Sequence, residues 1–339
     1  MIVILRDDPN EKQLENLKNW LRSMELEIHE SRGENHRILG LVGDTSRVDI
    51  DLISALDIVQ EVKRIQEPYK KANRKFHPLD TVVSAGKAAF GGGRFAVVAG
   101  PGAVENGEQM SLAARTALEA GADILYGGAF MPRTSPYSFQ GLREEGISIL
   151  LKAGKETGLP VASEITDVRE LPCFDGVDVI QVGPRNMRNY ELLKELGRLK
   201  KPVILKRGPS STLQEWLMSA EYLLDGGNEN VILCERGVRT FEPSVSVSMD
   251  VSSFPILRGL THLPVIADPC GAAGRSAPVP AMAAAAAAAG ADGLALTVSP
   301  DPQHAWVEGP QSLTGTEMKK TVDAVRRVRE AMREETRDE

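Results

Sequence analysis

The chain has two regions that differ in their pattern of hydrophobic and polar positions. Over residues 1–66, short apolar or alternating runs surround two segments in which apolar residues recur at helical spacing. Alternation is typical of half-buried strands, and helical spacing is typical of amphipathic helices. The resulting order is βαββαβ, which predicts a small ferredoxin-like domain.

The elements of this first region follow from individual segments. Its first helix is predicted from "NEKQLENLKNWLRSME", where the apolar residues on one face are Leu14, Leu17, Trp20 and Leu21. The predicted strands are 1–6, 26–31, 36–43 and 59–65, the helices are 10–25 and 46–57, and a turn lies at 32–35.

From residue 94 onward, continuous apolar runs recur with helical stretches between them. Continuous runs suit parallel strands that are buried on both faces. The runs are "RFAVVAGP", "ADILYGGAF", "LPVASEI", "DVIQVGP", "KPVILKRG", "NVILCERG", "LPVIADP" and "DGLALTVSP". Eight such strand–helix units over roughly 240 residues predict a closed TIM barrel over residues 94–339, in an α/β chain.

The intervening residues 67–93 are predicted to be a connector. They end in "AAFGGGRF" (88–95), whose glycines raise the alternative of a nucleotide-binding loop. The segment lacks the lysine and serine of a P-loop, so a hairpin before the first barrel strand is the preferred interpretation. The alanine run Ala281–Ala289 is interpreted as an outer helix of the barrel.

Composition excludes several classes of protein. The formal net charge of −7 gives no electrostatic support to nucleic-acid or anionic-membrane binding. No apolar run approaches the roughly 20 residues that span a bilayer. The three cysteines have no paired spacing, which is typical of a reducing compartment. We therefore expect a cytoplasmic protein without nucleic-acid or membrane partners.

Cationic residues follow many of the predicted barrel strands. The C-terminal ends of the strands carry the chemistry in TIM barrels. Guanidinium and ammonium groups bind phosphate and carboxylate groups. The pattern therefore predicts a site for a small polyanion, with Glu164 and Glu235 orienting the cations. The cations are Arg133, Arg185, Lys206, Arg207 and Arg236, with Arg275 in the loop after the seventh strand.

Three residues have alternative interpretations. Lys206 either forms a Schiff base, if nearby arginines depress its pKa, or stays charged and binds phosphate, which we prefer. His304 is either a general acid or base or a surface-loop residue. Cys270 is either an exposed thiol or a small residue that fills space, and the second is preferred.

Several segments resemble the 3-deoxy-7-phosphoheptulonate synthase family, in its single-barrel form with an N-terminal ferredoxin-like domain. These segments are "PRTSPYSFQG", "QVGPRNM", "PVILKRG", "NVILCERGVRTFE", "THLPVIADP" and "DPQHAWVEGPQSLT". The resemblance covers nearly the whole chain. In that family, a TIM barrel condenses phosphoenolpyruvate with erythrose 4-phosphate.

The resemblance implies positions for both substrates and a homo-oligomeric assembly. The residues at the phosphoenolpyruvate position are Arg185, Lys206 and Arg236. Those beside the aldose phosphate are Arg133, Thr134 and Ser135. The ferredoxin-like domain resembles the family's feedback module, which binds aromatic amino acids, but nothing in residues 1–66 indicates that this binding is retained.

The chain departs from the family at its metal site. The family holds a divalent metal with a cysteine, a histidine, a glutamate and an aspartate. By the resemblance, those positions are here Gly102, Gly271, Thr297 and Glu308, and the catalytic lysine of the "KPRTS" loop is Met131. Glycine has no side chain to bind a metal, and threonine is a poor ligand. We therefore expect no bound metal and no other cofactor.

Three functions remain, in this order. The first is a metal-independent lyase or transferase in a specialised pathway, acting on a phosphorylated or carboxylated sugar-like substrate. Its candidate catalytic residues are Lys206, Glu308 and His304. A family arginine replaced by Ser246 in "VSVSMD" indicates a changed substrate. The second function is the family reaction at an altered metal site, and the third is a non-catalytic binding or regulatory role.

Overall fold

The structure is a computed structural model that describes residues 1–32, 37–63 and 67–335. It divides into two compact units. The first is Met1–Asp80 with Arg258–His262, and the second is Thr81–Leu257 with the chain from Leu263 onward. The predicted connector 67–93 is therefore divided between them, since residues 67–80 belong to the first unit and residues 81–93 to the second.

The first unit contains the predicted βαββαβ succession. Its elements are β1 (Ile2–Leu5), α1 (Glu11–Ser23), β2 (Glu27–Arg32), β3 (Arg37–Val42), α2 (Ile50–Ser54) and β4 (Val59–Lys63). The strands form an antiparallel sheet in the order β2-β3-β1-β4, the order of a ferredoxin-like domain. The predicted turn at 32–35 falls mostly outside the described residues.

The two helices of this unit begin at side-chain caps. Asn10 accepts the backbone N–H groups of Lys12 and Gln13 at the start of α1, and Asp49 caps α2. Because α2 begins only at Ile50, it is shorter than the predicted helix 46–57. On α1 the leucines are buried in the core of this unit, whereas Trp20 is 37% exposed.

The second unit is a closed barrel of eight parallel strands, as predicted. Its strands are β7 (Ala96–Gly100), β8 (Ile124–Tyr126), β9 (Val161–Ile165), β10 (Val179–Val182), β11 (Val203–Lys206), β12 (Val231–Glu235), β13 (Val265–Ala267) and β14 (Gly293–Thr297). Its helices are α3 (Gly107–Glu119), α4 (Glu144–Thr157), α5 (Tyr190–Gly197), α6 (Leu213–Asp225), α8 (Pro269–Ala273), α9 (Val279–Ala288) and α10 (Gly315–Glu335), and α7 (Ser253–Leu260) extends from it into the first unit.

A hairpin fills the N-terminal end of the barrel. Its strands, β5 (Val83–Ala85) and β6 (Ala88–Phe90), share one apolar core with residues from the barrel interior. The buried Phe90 contacts Gly293, the first residue of β14, where a Cβ would lie 2.9 Å from the ring. Gly91, Gly92 and Gly93, which follow Phe90, all have positive φ. Arg329 and Arg333 of α10 donate to the Gly93 carbonyl. Residues 88–90 are the second strand of this hairpin, which confirms the hairpin interpretation of "AAFGGGRF", and the glycines form the turn that leads into β7.

The alanine-rich segment forms α9, as predicted, and packs against α10. Ala283, Ala286 and Ala287 are buried, so their small side chains allow close packing of the helix. In the described part of the chain, no helix combines the length and the apolar character needed to cross a bilayer.

Candidate functional site

A cavity of about 470 Å³ opens at the C-terminal ends of the barrel strands. Every strand end contributes to its lining, as expected for the catalytic face of a TIM barrel. The polar and charged lining residues are Tyr126, Arg133, Thr134, Glu164, Gln181, Arg185, Lys206, Arg236, Arg239, Ser246, Asp268, Thr297 and Glu308. Gly102, Met131 and Gly271 line it as well.

Backbone carbonyl groups orient two of the cavity's arginines. Arg185 donates from Nη1 to the Pro132 carbonyl at 3.1 Å, and Arg236 donates from Nη2 to the Gly271 carbonyl at 2.9 Å. A guanidinium group has further N–H donors, so one such bond leaves most of its capacity for an anion. The cavity therefore combines fixed guanidinium groups with open donor positions.

Lys206 is paired with Asp268 in the floor of the cavity. Its Nζ donates to Asp268 Oδ2 at 2.7 Å, and the two side chains are 14% and 8% exposed. Burial acts to lower the pKa of Lys206, but the charge and hydrogen bond of Asp268, together with the electrostatic effects of Cys234 and Tyr126, leave the net pKa raised. Burial likewise acts to raise the pKa of Asp268, but Lys206 and Arg236 lower it. The depressed lysine pKa that the Schiff-base hypothesis required is therefore not found, and Lys206 stays an ammonium ion.

Glu308 occupies the space in front of Gly102. Its Oε2 accepts the Thr297 hydroxyl at 3.4 Å, and its backbone is left-handed, with φ of 61°. A Cβ on residue 102 would lie 2.9 Å from both Cβ and Oε2 of Glu308, so glycine is required there. Glu308 as a whole residue is exposed, but its carboxyl group lies in the cavity lining, where desolvation raises its pKa and Asp268 adds to the rise against the opposing charge of Lys206.

A second acid, Glu164, lines the cavity at the end of β9. Glu164 Oε2 accepts Gln181 Nε2 at 2.9 Å, and Gln181 is also 3.4 Å from the Tyr126 hydroxyl. Burial raises the pKa of Glu164. Burial also raises the pKa of Tyr126 far above its ordinary value, and the charge of Glu164 adds to this effect. Neither Tyr126 nor Gln181 was predicted from the sequence, although each is a polar residue within an otherwise apolar strand.

Glu235 and Arg207 lie outside the cavity lining, contrary to expectation. Glu235 is fully buried, and its Oε2 accepts Arg207 Nη1 at 2.8 Å. The same Nη1 is 2.9 Å from Asp250 Oδ2. Burial raises the pKa of Glu235 against the opposing effect of Arg207. This glutamate therefore orients a structural arginine and none of the cations of the cavity.

Four further candidates also lie outside the lining. His304 is on an exposed loop outside this lining, with Nδ1 2.7 Å from Asp301 Oδ2, in line with the surface-loop interpretation and not with a general acid or base of this cavity. Ser135 accepts the Tyr137 N–H within its own loop, and Arg275 is exposed. Cys270 is fully buried, which confirms the space-filling interpretation and raises its pKa to about 12.

The residues at the family's four metal positions do not fit a divalent metal. Gly102 and Gly271 have no side chain, and the Thr297 hydroxyl is used by Glu308, the one carboxylate of the set. Within the ranges the structure describes, no three or more His, Cys, Asp or Glu side chains gather in a way that could hold a metal ion. We therefore derive no chemical step through a metal at this site.

The fold and the site define a two-unit TIM-barrel protein whose C-terminal face carries a cavity rich in cations. Residues 72–334 match the model of the DAHP synthetase I family, where DAHP is 3-deoxy-7-phosphoheptulonate. Residues 1–67 match the DAHP synthase ferredoxin-like domain. The chain belongs to the DAHP synthetase I family, which confirms the resemblance found in its sequence.

Individual relatives agree with this assignment. The chain is 40% identical over 333 residues to phospho-2-dehydro-3-deoxyheptonate aldolase of Thermotoga maritima, covering 98% of each. A crystal structure of that DAHP synthase superposes with a TM-score of 0.77 at 39% identity, covering 98% of this chain and 97% of the other. The 2-dehydro-3-deoxyphosphooctonate aldolase of Geobacter sulfurreducens is 31% identical over 252 residues, which are 68% of this chain and 91% of that protein.

Proposed function

We propose that this chain catalyses the reaction of its family at an altered metal site, condensing phosphoenolpyruvate with an aldose phosphate such as erythrose 4-phosphate. The observation that carries the proposal is the cavity that collects Arg133, Arg185, Lys206 and Arg236 from different strand ends. The 40% identity to a phospho-2-dehydro-3-deoxyheptonate aldolase supports this function better than the first-ranked hypothesis of a different, metal-independent reaction.

The cations are suited to two anionic substrates. Arg185, Lys206 and Arg236 would bind the phosphate and carboxylate of phosphoenolpyruvate, while Arg133 and Thr134 would bind the aldose phosphate. Each hydrogen bond to a charged group contributes about 1.5–3 kcal/mol before desolvation and ordering costs are deducted. Convergence of these groups therefore favours phosphorylated over neutral ligands.

The reaction requires proton transfer as well as binding. The methylene carbon of phosphoenolpyruvate bonds to the aldehyde carbon, whose oxygen gains a proton. One water is consumed, and one inorganic phosphate leaves, because the heptulosonate product retains only the aldose phosphate. The raised pKa of Glu308, which lines the cavity, suits a carboxylic acid that donates this proton and recovers one from the water that is consumed. Exposed His304 receives no role in this scheme.

Product formation tests the proposal directly. Purified full-length chain, supplied with both substrates, should release phosphate and form heptulosonate phosphate in equal amounts. Lys206→Met should abolish this activity, whereas Arg275→Ala, on an exposed side chain outside the cavity lining, should retain it. Wild-type protein that binds phosphoenolpyruvate but forms no product, with or without added Mn²⁺, would contradict catalysis.

A non-catalytic binding role is the second candidate. Met131 stands where the family has a catalytic lysine, and its thioether packs beside Gly128 at the cavity entrance. Such a protein would keep anion binding without turnover. For either function we also propose a cytoplasmic location and a homo-oligomer, in line with the family resemblance.

A further inference from the structure

Lys206, Asp268 and Gly271 form one hydrogen-bonded unit at the centre of the cavity. Asp268 accepts the Lys206 ammonium at Oδ2 and the backbone N–H of Gly271 at Oδ1, both at 2.7 Å. A Cβ on residue 271 would lie 2.7 Å from Asp268 Oδ2. A side chain at this position would therefore disturb the carboxylate that holds the ammonium ion.

A similar arrangement lies beside it, at the ends of the neighbouring strands β14 and β7. Glu308, held by the Thr297 hydroxyl, fills the space that any side chain on residue 102 would enter. Gly102 and Gly271 thus do more than lack metal-binding groups. Each glycine makes room for a carboxylate, Asp268 beside Gly271 and Glu308 beside Gly102.

A divalent cation would have to compete with this internal cation. To bind Asp268 it would have to displace the Lys206 ammonium, and among the family's metal positions Glu308 alone would add a side-chain ligand, because the glycines have none and the threonine hydroxyl is occupied. The ammonium group has N–H donors beyond the one that binds Asp268. Those donors can contact ligand oxygens inside the cavity.

We propose that the Lys206 ammonium, fixed by Asp268, takes the place of the divalent metal, so that phosphorylated ligands bind in this cavity without a metal ion. Lys206 then donates a hydrogen bond to a phosphate or carboxylate oxygen of the ligand, the role that it has in the proposed function. The identity of that ligand rests on the proposed function, whereas metal-independent binding of phosphate does not.

To test this proposal, metal binding and phosphate binding are measured separately. Full-length chain is dialysed against EDTA and titrated with Mn²⁺ by calorimetry, and its metal content is measured by elemental analysis. Its thermal midpoint is then followed with inorganic phosphate and with phosphoenolpyruvate, in EDTA and in Mn²⁺. We expect the bound Mn²⁺ to be well below one ion per chain. The ligand-dependent shift in thermal midpoint should be the same in EDTA and in Mn²⁺.

Two variants test whether Lys206 is responsible for phosphate binding in the absence of metal. Lys206→Met should weaken phosphate binding in EDTA by about tenfold or more, the loss of one charge-assisted contact. Lys152→Met, on the exposed face of α4, is the matched control and should bind as wild type does. If Lys206→Met does not fold, the wild-type measurements with Mn²⁺ and EDTA still decide the question.

The possible failures are distinguishable. One Mn²⁺ per chain that is lost in Asp268→Asn and required for the phosphate shift would overturn metal replacement and leave the proposed function intact. Absence of any shift with phosphate or phosphoenolpyruvate, under both conditions, would overturn the inference and the proposed function together.

Discussion

Replacing Arg207 with methionine tests whether this arginine stabilises the barrel or binds an anion. Its guanidinium contacts two carboxylates, Glu235 at 2.8 Å and Asp250 at 2.9 Å, and Nε donates to the Ser211 carbonyl at 3.0 Å. The Arg207 and Glu235 side chains are 6% and 0% exposed. Methionine keeps the apolar volume but leaves the buried carboxylate without its partner.

The expected loss follows from that burial. Removing one partner of a buried ion pair costs about 3–5 kcal/mol, because an uncompensated charge remains. A matched surface variant is Arg169→Met, which breaks the 2.8 Å pair with Asp167 at an arginine that is 88% exposed. Because that pair is fully exposed to solvent, its loss should change the free energy of unfolding very little.

Urea unfolding followed by circular dichroism measures both losses. The double variant Arg207→Met/Glu235→Gln should lose less free energy of unfolding than the sum of its single changes, because the unpaired charge is gone.

Burial raises the folded-state pKa of Glu235, so its ionisation lowers stability as pH rises. The Arg207→Met deficit should therefore shrink between about pH 7.5 and about pH 5.

Two results would refute this reasoning. One is an Arg207→Met variant whose free energy of unfolding stays within about 1 kcal/mol of wild type, as expected for an exposed pair. The other is a variant of normal stability that has lost its phosphate-dependent thermal shift, which would make Arg207 an anion ligand.

Three further predictions concern the cavity and the first unit. Arg236→Ala should reduce the phosphate-dependent thermal shift and Arg275→Ala should not; equal shifts in both would mean that Arg236 does not contact the anion. Gly102→Ala should lower the free energy of unfolding by about 1–3 kcal/mol, because its Cβ would meet Glu308, and a crystal structure with Glu308 unmoved would contradict this. Burial lowers the pKa of His262 to about 4 from 6.5, so wild-type protein should lose stability as pH falls through that window. His262→Gln should remove up to about 3 kcal/mol of that loss in urea unfolding at stepped pH, and an unchanged acid profile would speak against it.

The sequence by itself determined the architecture of this protein. Parallel barrel strands are buried on both faces, so they appear as continuous apolar runs, and eight such runs identified the barrel. Strand ends could be located in the same way, which is why Arg133, Arg185, Lys206 and Arg236 were found as cavity candidates. Long motifs then identified the family.

Only the tertiary structure decided which side chains at those strand ends share the cavity. Successive side chains of a strand point to opposite faces, and a continuous apolar run does not reveal which face is the interior. On β11, Ile204 lies in the interior core and Lys206 enters the cavity, while Arg207 turns away. On β12 the buried Cys234 faces inward, so the following Glu235 points outward to Arg207.

The same alternation accounts for residues that the sequence analysis missed or misplaced. Gln181 and Tyr126 lie two residues beyond the interior positions Val179 and Ile124, so they reach the cavity from within apolar strands. His304 lies in a loop after the last strand, where side chains do not alternate in direction as they do along a strand. Its distance from the cavity depends on how that loop folds back over the barrel, and local sequence does not specify this.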